Sequence, residues 1–157
     1  MGLYETAVEW LTLSVLLFGP GLAVAVFWSP FLLVDRLRSL FRTLPPKGSM
    51  TVTYPIVMVL LSLPWVIGTG VAIVLSPLEP VPYANAILDV VLPLSIVYVI
   101  GLPVLGGFVL PKAGVDWDPK NYDIASWASL IVGGIWYTVF FAVPLFVIAL
   151  IIALPMH

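Results

Sequence analysis

Four long stretches of the sequence carry no charged side chain, and this feature constrains the fold more than any other. They cover residues 10–34, 48–78, 90–111 and 124–157. An α-helix needs roughly 20 apolar residues to cross the hydrocarbon core of a bilayer, and each stretch is longer than that. The sequence therefore predicts an all-α integral membrane protein with four transmembrane helices in an up-down bundle.

The composition agrees with this class. Hydrophobic residues make up 62% of the 157 residues and charged residues only 9%, with a mean hydropathy of +1.17. A soluble domain averages about 25% charged residues, so these charges are too few to cover a water-facing surface. We expect a single domain, residues 1–157, with spans at about 8–34, 52–77, 86–110 and 124–154. Prolines predict kinks in these spans, at Pro20, Pro30, Pro64, Pro93, Pro103 and Pro144.

The basic residues predict the orientation of the chain. All six lie in two connections, residues 35–51 and 111–123. Because Lys and Arg are enriched in cytoplasmic loops, both connections are expected in the cytoplasm and both termini outside the cell membrane. We expect the stretch 37–42 to be a plain polar hairpin loop, with a short amphipathic turn as the alternative. Asp123 is expected to cap the start of the fourth span.

Aromatic residues near the span ends are expected to act as anchors at the membrane surface. They are Trp10, Trp28, Tyr54, Tyr83, Trp117, Tyr122 and Trp127. Small residues four positions apart permit close packing of helices, and three such stripes occur. Gly21, Ala25 and Ser29 are expected to pack within the bundle, as are Ala125, Ser129 and Gly133. Gly68, Ala72 and Ser76 are expected to face a second copy or another membrane subunit.

Several function classes are excluded by what the sequence lacks. There is no cysteine, and the single histidine, His157, is the last residue, so the sequence contains no thiolate site, no paired-histidine haem site and no Ser/His/Asp triad. The net charge of −2 gives no basic patch for nucleic acid. We expect neither enzymatic activity nor a metal or cofactor.

The polar candidates are few. Asn85 and Asp89 lie one helical turn apart near the predicted outer end of the third span. Ionisable residues within a span often mark ion paths, so this pair is a candidate cation or proton site. The alternative is a carboxylate at the membrane surface near a helix N-terminus.

Three functional hypotheses follow. The first is a non-catalytic membrane subunit or scaffold that acts through lateral helix contacts with other membrane protein subunits in a larger membrane complex. The second is a small oligomeric channel or carrier with Asp89 near its outer mouth. The third is a binder of an apolar ligand such as a quinone, carotenoid or lipid, with the site lined by Trp65, Tyr98, Trp136 and Tyr137. The excess of acidic over basic residues also gives the chain a halophile-like character.

Overall fold

The computed structural model describes residues 3–45, 49–77, 79–118 and 122–154. Lys47, Lys120 and His157 lie outside these ranges. The described residues form six α-helices and no strands: α1 Leu3–Trp28, α2 Asp35–Thr43, α3 Met50–Leu75, α4 Pro80–Val104, α5 Leu110–Lys112 and α6 Ile124–Ala153. A 3₁₀-helix, Ser29–Leu33, follows α1, and a π-helical turn, Leu105–Val109, joins α4 to α5.

Four helical stretches are long and apolar enough to cross a membrane, which confirms the predicted number of spans. They are Val8–Leu33, Met50–Leu75, Pro80–Lys112 and Ile124–Ala153. The third begins at Pro80 instead of near Ala86, because proline is well suited to the first turn of a helix, where its missing N–H has no partner to lose. Asp123 caps α6 as predicted, and its carboxylate accepts a hydrogen bond from the backbone N–H of Ser126.

The first connection differs from the prediction, because it contains the helix α2 where a plain hairpin loop was expected. Leu37 and Phe41 of α2 are buried, while Arg42 is exposed. The two buried residues are four positions apart and therefore lie on one face of the helix. This apolar face packs against the bundle, and that burial stabilises a helix that would be too short to persist alone.

Helix α3 packs between α1 and α4, and α4 also packs along α6. The contact of α1 with α3 is close at Gly21, where an added Cβ would lie 2.6 Å from the Cα of Val59. Helices α1 and α6 meet at Trp28, whose ring lies against Gly133. Before Leu16, the described side chains of α1 from Val8 onward are exposed.

The π-helical turn coincides with two glycines that contact α6. An added Cβ on Gly106 would lie 2.8 Å from Cδ2 of Leu130, and one on Gly107 would lie 2.7 Å from the ring of Trp127. A π-helical turn also alters the regular backbone hydrogen bonds. Here the carbonyl oxygen of Gly106 accepts a 2.7 Å hydrogen bond from Nε1 of Trp117.

Three of the expected surface anchors lie in the core. Trp28, Tyr54 and Trp117 are buried, because each donates a hydrogen bond to a backbone carbonyl in another segment. Trp28 Nε1 donates to Gly133 at 3.0 Å, and the Tyr54 hydroxyl donates to Ala25. The anchor prediction is therefore wrong for these residues. Trp10 is exposed, as a surface anchor requires.

Candidate functional site

The middle of the bundle contains a cluster of aromatic rings. Trp65 stacks on Phe141, with ring centroids 5.5 Å apart and planes 14° apart. Tyr98 contacts both Trp65 and Tyr137, at 5.6 Å and 5.8 Å between centroids. The structure thus brings together three of the four aromatic residues proposed from the sequence.

The fourth, Trp136, lies apart from this cluster. Its ring is half exposed and is 6.2 Å from that of Phe31. Its Nε1 donates a 3.2 Å hydrogen bond to the carbonyl of Phe27. Trp136 therefore contributes to the contact between α6 and α1 and does not line a site shared with the other three.

Beside the aromatic cluster lies an apolar groove between α1, α3 and α6, which we call the lateral groove. Its volume is about 930 Å³ and it is open to the surroundings. Leu16, Pro20 and Phe27 line it from α1, and a second wall comes from α3. The α6 wall includes two residues of note, Phe141 and Pro144. The groove forms because α1 contacts α6 near Trp28 and Phe27 and stands apart from it nearer its N-terminus.

Two hydrogen-bonding side chains in the α3 wall have no partner within the described residues. They are Trp65, which is 1% exposed, and Thr69, which is 8% exposed. The unpaired atoms are the indole Nε1 and the hydroxyl Oγ1. The residues are four positions apart and so lie side by side on one face of α3. Unpaired polar atoms are uncommon in protein interiors, so this pair needs a physical explanation.

Comparable side chains elsewhere in the described structure find partners. The buried hydroxyls of Tyr98 and Tyr137 donate to the carbonyls of Leu61 and Met58 on α3. Hydroxyls within the helices commonly donate to the carbonyl four residues earlier, as those of Thr12, Ser14, Ser95, Ser129 and Thr138 do. The hydroxyl of Thr69 lies within a helix but makes no such bond, so its hydrogen-bonding capacity is unused within the described residues. Sequence reasoning missed Thr69, although its position one turn from Trp65 in an apolar stretch was a usable signal.

The small-residue stripes are placed unevenly. An added Cβ on Gly68 would lie 3.1 Å from Cγ1 of Val90, so Gly68 contacts α4 of the same chain. Ala72 and Ser76 of the same stripe are half-buried. Of the two stripes expected inside the bundle, Gly21, Ala25 and Gly133 are buried, Ser129 is half-buried, and Ser29 and Ala125 are exposed.

The proposed polar pair is exposed. Asn85 and Asp89 lie on α4 with exposed side chains, and neither lines the lateral groove. This position fits a carboxylate at the surface of the bundle.

A polar cluster joins α2 to the start of α6. The guanidinium of Arg36 donates to both carboxylate oxygens of Asp123, at 2.8 Å for the longer bond, and also to the hydroxyl of Ser126. Nη1 of Arg36 lies 3.5 Å from Oδ2 of Asp118, whose side chain is buried. Ser126 Oγ in turn donates to Asp118. These contacts hold the two connections together.

The charges in this cluster shift each other's titration. The hydrogen bond from Arg36 holds the pKa of Asp123 well below its usual range, and the backbone N–H of Ser126 adds to the effect. The pKa of Arg36 is raised by the same bond to Asp123. Burial raises the pKa of Tyr122, and its hydrogen bond to Asp116 raises it further.

A second, smaller cavity lies under α2. Its volume is about 120 Å³, and Leu37 and Phe41 of α2 close one side of it. Met58 and Tyr137 contribute to the opposite walls. Apolar cavities of this size can remain dry, and this one results from the packing of α2 on the bundle.

Fold and site together define a helical membrane protein of four spans with an apolar groove in its side. A family model described as "Domain of unknown function (DUF8162)" matches residues 8–156. The chain therefore belongs to this family. No curated protein matches the chain, and no solved structure matches it.

Proposed function

We propose that this protein is a non-catalytic membrane protein that binds an apolar molecule from the bilayer in the lateral groove. The observation that carries this proposal is the groove itself. Its volume of about 930 Å³ falls at the upper end of the roughly 300–1,000 Å³ typical of ligand pockets. Apolar and aromatic side chains from three helices line it, which is the chemistry that such a ligand requires.

The orientation of the bundle belongs to the same proposal. We infer an up-down arrangement in the cell membrane with the α2 end in the cytoplasm and both termini outside. The positions of the basic residues support this orientation. Contacts between neighbouring helices support the up-down arrangement: Gly21 of α1 lies against Val59 and Ser62, whereas Ala25, farther along α1, lies near the earlier residue Tyr54.

The first prediction concerns a substitution that places a larger side chain in the lateral groove without disturbing the bundle. Gly70 lines the groove, and nothing lies within 4 Å of a Cβ added there. We expect Gly70→Leu to weaken binding of the apolar molecule by about tenfold, or about 1.4 kcal/mol, because the leucine side chain occupies space in the groove that the ligand needs. Native mass spectrometry of protein purified from its own membrane in mild detergent measures the fraction of protein that carries the molecule.

Gly101→Leu is the matched control. Gly101 is also a helical glycine, lies outside the groove lining, and has only Cγ1 of Val97, at 3.9 Å, near an added Cβ. We expect this variant to bind as the wild type does. Equal occupancy in wild type and Gly70→Leu, or wild type that carries no apolar molecule at all, would contradict the proposed function.

The hypothesis of a non-catalytic membrane subunit or scaffold remains a second candidate function because of one observation. From Val8 to Leu16, the side chains of α1 are exposed on all faces of the helix, so a helix of another membrane protein has room to pack there. The same purification tests it, since a foreign subunit present in stoichiometric amount would favour this candidate. The channel hypothesis gains no such support, because Asn85 and Asp89 are exposed on α4, away from the groove.

A further inference from the structure

We propose that the occupant of the lateral groove is a lipid-soluble molecule with a carbonyl oxygen, which accepts hydrogen bonds from Trp65 Nε1–H and Thr69 Oγ1–H. This inference rests on the proposed function and assigns the chemical class of its ligand. It is carried by a different observation, namely the two unpaired hydrogen-bonding atoms in the groove wall.

The chemistry of these two atoms selects the ligand class. An indole N–H can only donate a hydrogen bond, and a threonine hydroxyl can donate one as well. The group that satisfies both is therefore an acceptor, and a carbonyl oxygen has the two lone pairs that two donors require. A saturated hydrocarbon would leave both donors unpaired, and the desolvation penalty of each would remain.

The depth of the pair narrows the class further. Trp65 and Thr69 are the sixteenth and twentieth of the 26 residues of α3, which places them about 4 Å and about 10 Å from the middle of the helix at 1.5 Å per residue. The ester groups of a phospholipid lie at the edge of the hydrocarbon core, about 15 Å from its centre. The carbonyl must therefore sit on a part of the ligand that enters the hydrocarbon region, as the ring carbonyl of a quinone does.

Both donor atoms are buried in the structure. Phe141 stacks on Trp65 and also lines the groove. A ligand carbonyl therefore reaches the N–H, which points from the edge of the indole, only when side chains of the groove wall such as Phe141 move aside.

The test compares two probes that differ in their carbonyls: 2-decyl-1,4-benzoquinone and decylbenzene. Binding to the full chain in detergent is measured by equilibrium dialysis. We expect wild type to prefer the quinone by about tenfold, and Trp65→Phe and Thr69→Val each to weaken quinone binding by about fivefold, as loss of a neutral hydrogen bond implies. Binding of decylbenzene should change little in either variant.

Two matched controls make these substitutions elsewhere. Trp136→Phe removes an indole that already donates to Phe27, and Thr138→Val removes a hydroxyl that already donates to Gly134. Neither residue lines the groove, so quinone binding should stay as in wild type. Their unfolding temperatures, compared with those of the two groove variants, separate a loss of binding from a loss of folding.

The possible outcomes are distinguishable. Equal binding of both probes, with Trp65→Phe unchanged, would overturn the carbonyl assignment and leave the groove as an apolar site. Phospholipid as the sole occupant of protein from its native membrane would also overturn it. Failure of both probes to bind, together with unaltered behaviour of Gly70→Leu, would overturn the proposed function itself.

Discussion

Trp65 differs from the other buried tryptophans of the described chain in its hydrogen bonding. Trp28 and Trp117 each donate Nε1–H to a backbone carbonyl, at 3.0 Å and 2.7 Å. Trp65 is equally buried and its ring packs on those of Tyr98 and Phe141, but its Nε1–H has no partner within the described residues. The desolvation penalty of this unpaired N–H would be offset if a molecule bound in the lateral groove accepted its hydrogen bond.

Asp123, another single residue, gives a prediction about how the stability of the protein depends on pH. Its pKa is lowered in the folded protein, so its contribution to stability is present above its unfolded pKa of about 3.9. That contribution is lost as the pH falls toward the folded value. We expect the unfolding temperature of wild type to exceed that of Asp123→Asn at pH 6, and the gap to shrink steadily below about pH 4.

Asparagine is a suitable replacement because it caps helices about as well as aspartate does. The variant thus removes the charge that pairs with Arg36 and keeps the cap on α6. Thermal unfolding in detergent between pH 2 and pH 7, followed by circular dichroism, measures the gap. A gap that is constant over this range would show that the ion pair does not contribute to stability.

These two residues also show what local sequence can predict. The cap at Asp123 follows from a carboxylate placed just before an apolar helix, which is a local pattern. Its pairing with Arg36 joins residues 87 positions apart, and no local pattern encodes that distance. The unpaired state of Trp65 likewise depends on which carbonyls neighbouring helices bring close.

At the scale of helices, the close approach of α1 and α3 at Gly21 gives a further prediction. A methyl group there would lie 2.6 Å from backbone Cα of Val59, and the backbone cannot move aside cheaply. We expect Gly21→Ala to destabilise the protein by about 1–3 kcal/mol, the usual cost of overpacking. Chemical unfolding in mixed micelles measures the loss.

Gly19→Ala serves as the control in the same helix. An added Cβ at Gly19 meets only Cγ1 of Val15, at 3.8 Å, which is ordinary contact. The stability of this variant should equal or exceed that of wild type, because alanine favours helix more than glycine does. Equal losses in both variants would mean that α1 and α3 are not in close contact at Gly21.

Helix α2 shows why one element was predicted incorrectly. Four charged residues in nine predict a polar loop, whereas Leu37 and Phe41, four positions apart, form an apolar face when the segment is helical. Both side chains are buried because the bundle offers an apolar surface beneath them, and part of that surface lines the cavity under α2. Tertiary packing, which one short segment does not reveal, decides the structure of α2.

For the whole molecule, the proposed orientation can be tested with single cysteines, since the chain has none of its own. Arg42 and Glu79 are exposed in two different connections. We expect Glu79→Cys to react with a membrane-impermeant maleimide in intact cells, and Arg42→Cys to react only after the membrane is opened. The reverse pattern would show that the bundle has the opposite orientation. Reaction of both cysteines in intact cells would contradict an up-down arrangement.

The four spans could be predicted from the sequence, whereas the lateral groove could not. Each span follows from a continuous run of apolar residues, so four of them could be recognised one at a time. The lateral groove is lined by residues as far apart as Leu16 and Leu145, and it exists because the N-terminal part of α1 stands away from α6. Such a shape depends on how three helices pack, and the sequence specifies that only through their combined surfaces.

The most direct test of the account is to identify what the wild-type protein carries from its own membrane. Protein purified in mild detergent is extracted with organic solvent, and the extract is analysed by mass spectrometry beside that of Gly70→Leu. We predict an apolar, carbonyl-containing molecule in near-stoichiometric amount from wild type and its depletion in the variant. An extract from wild type that contains only bulk membrane lipids, in the same proportions as the variant, would contradict the account.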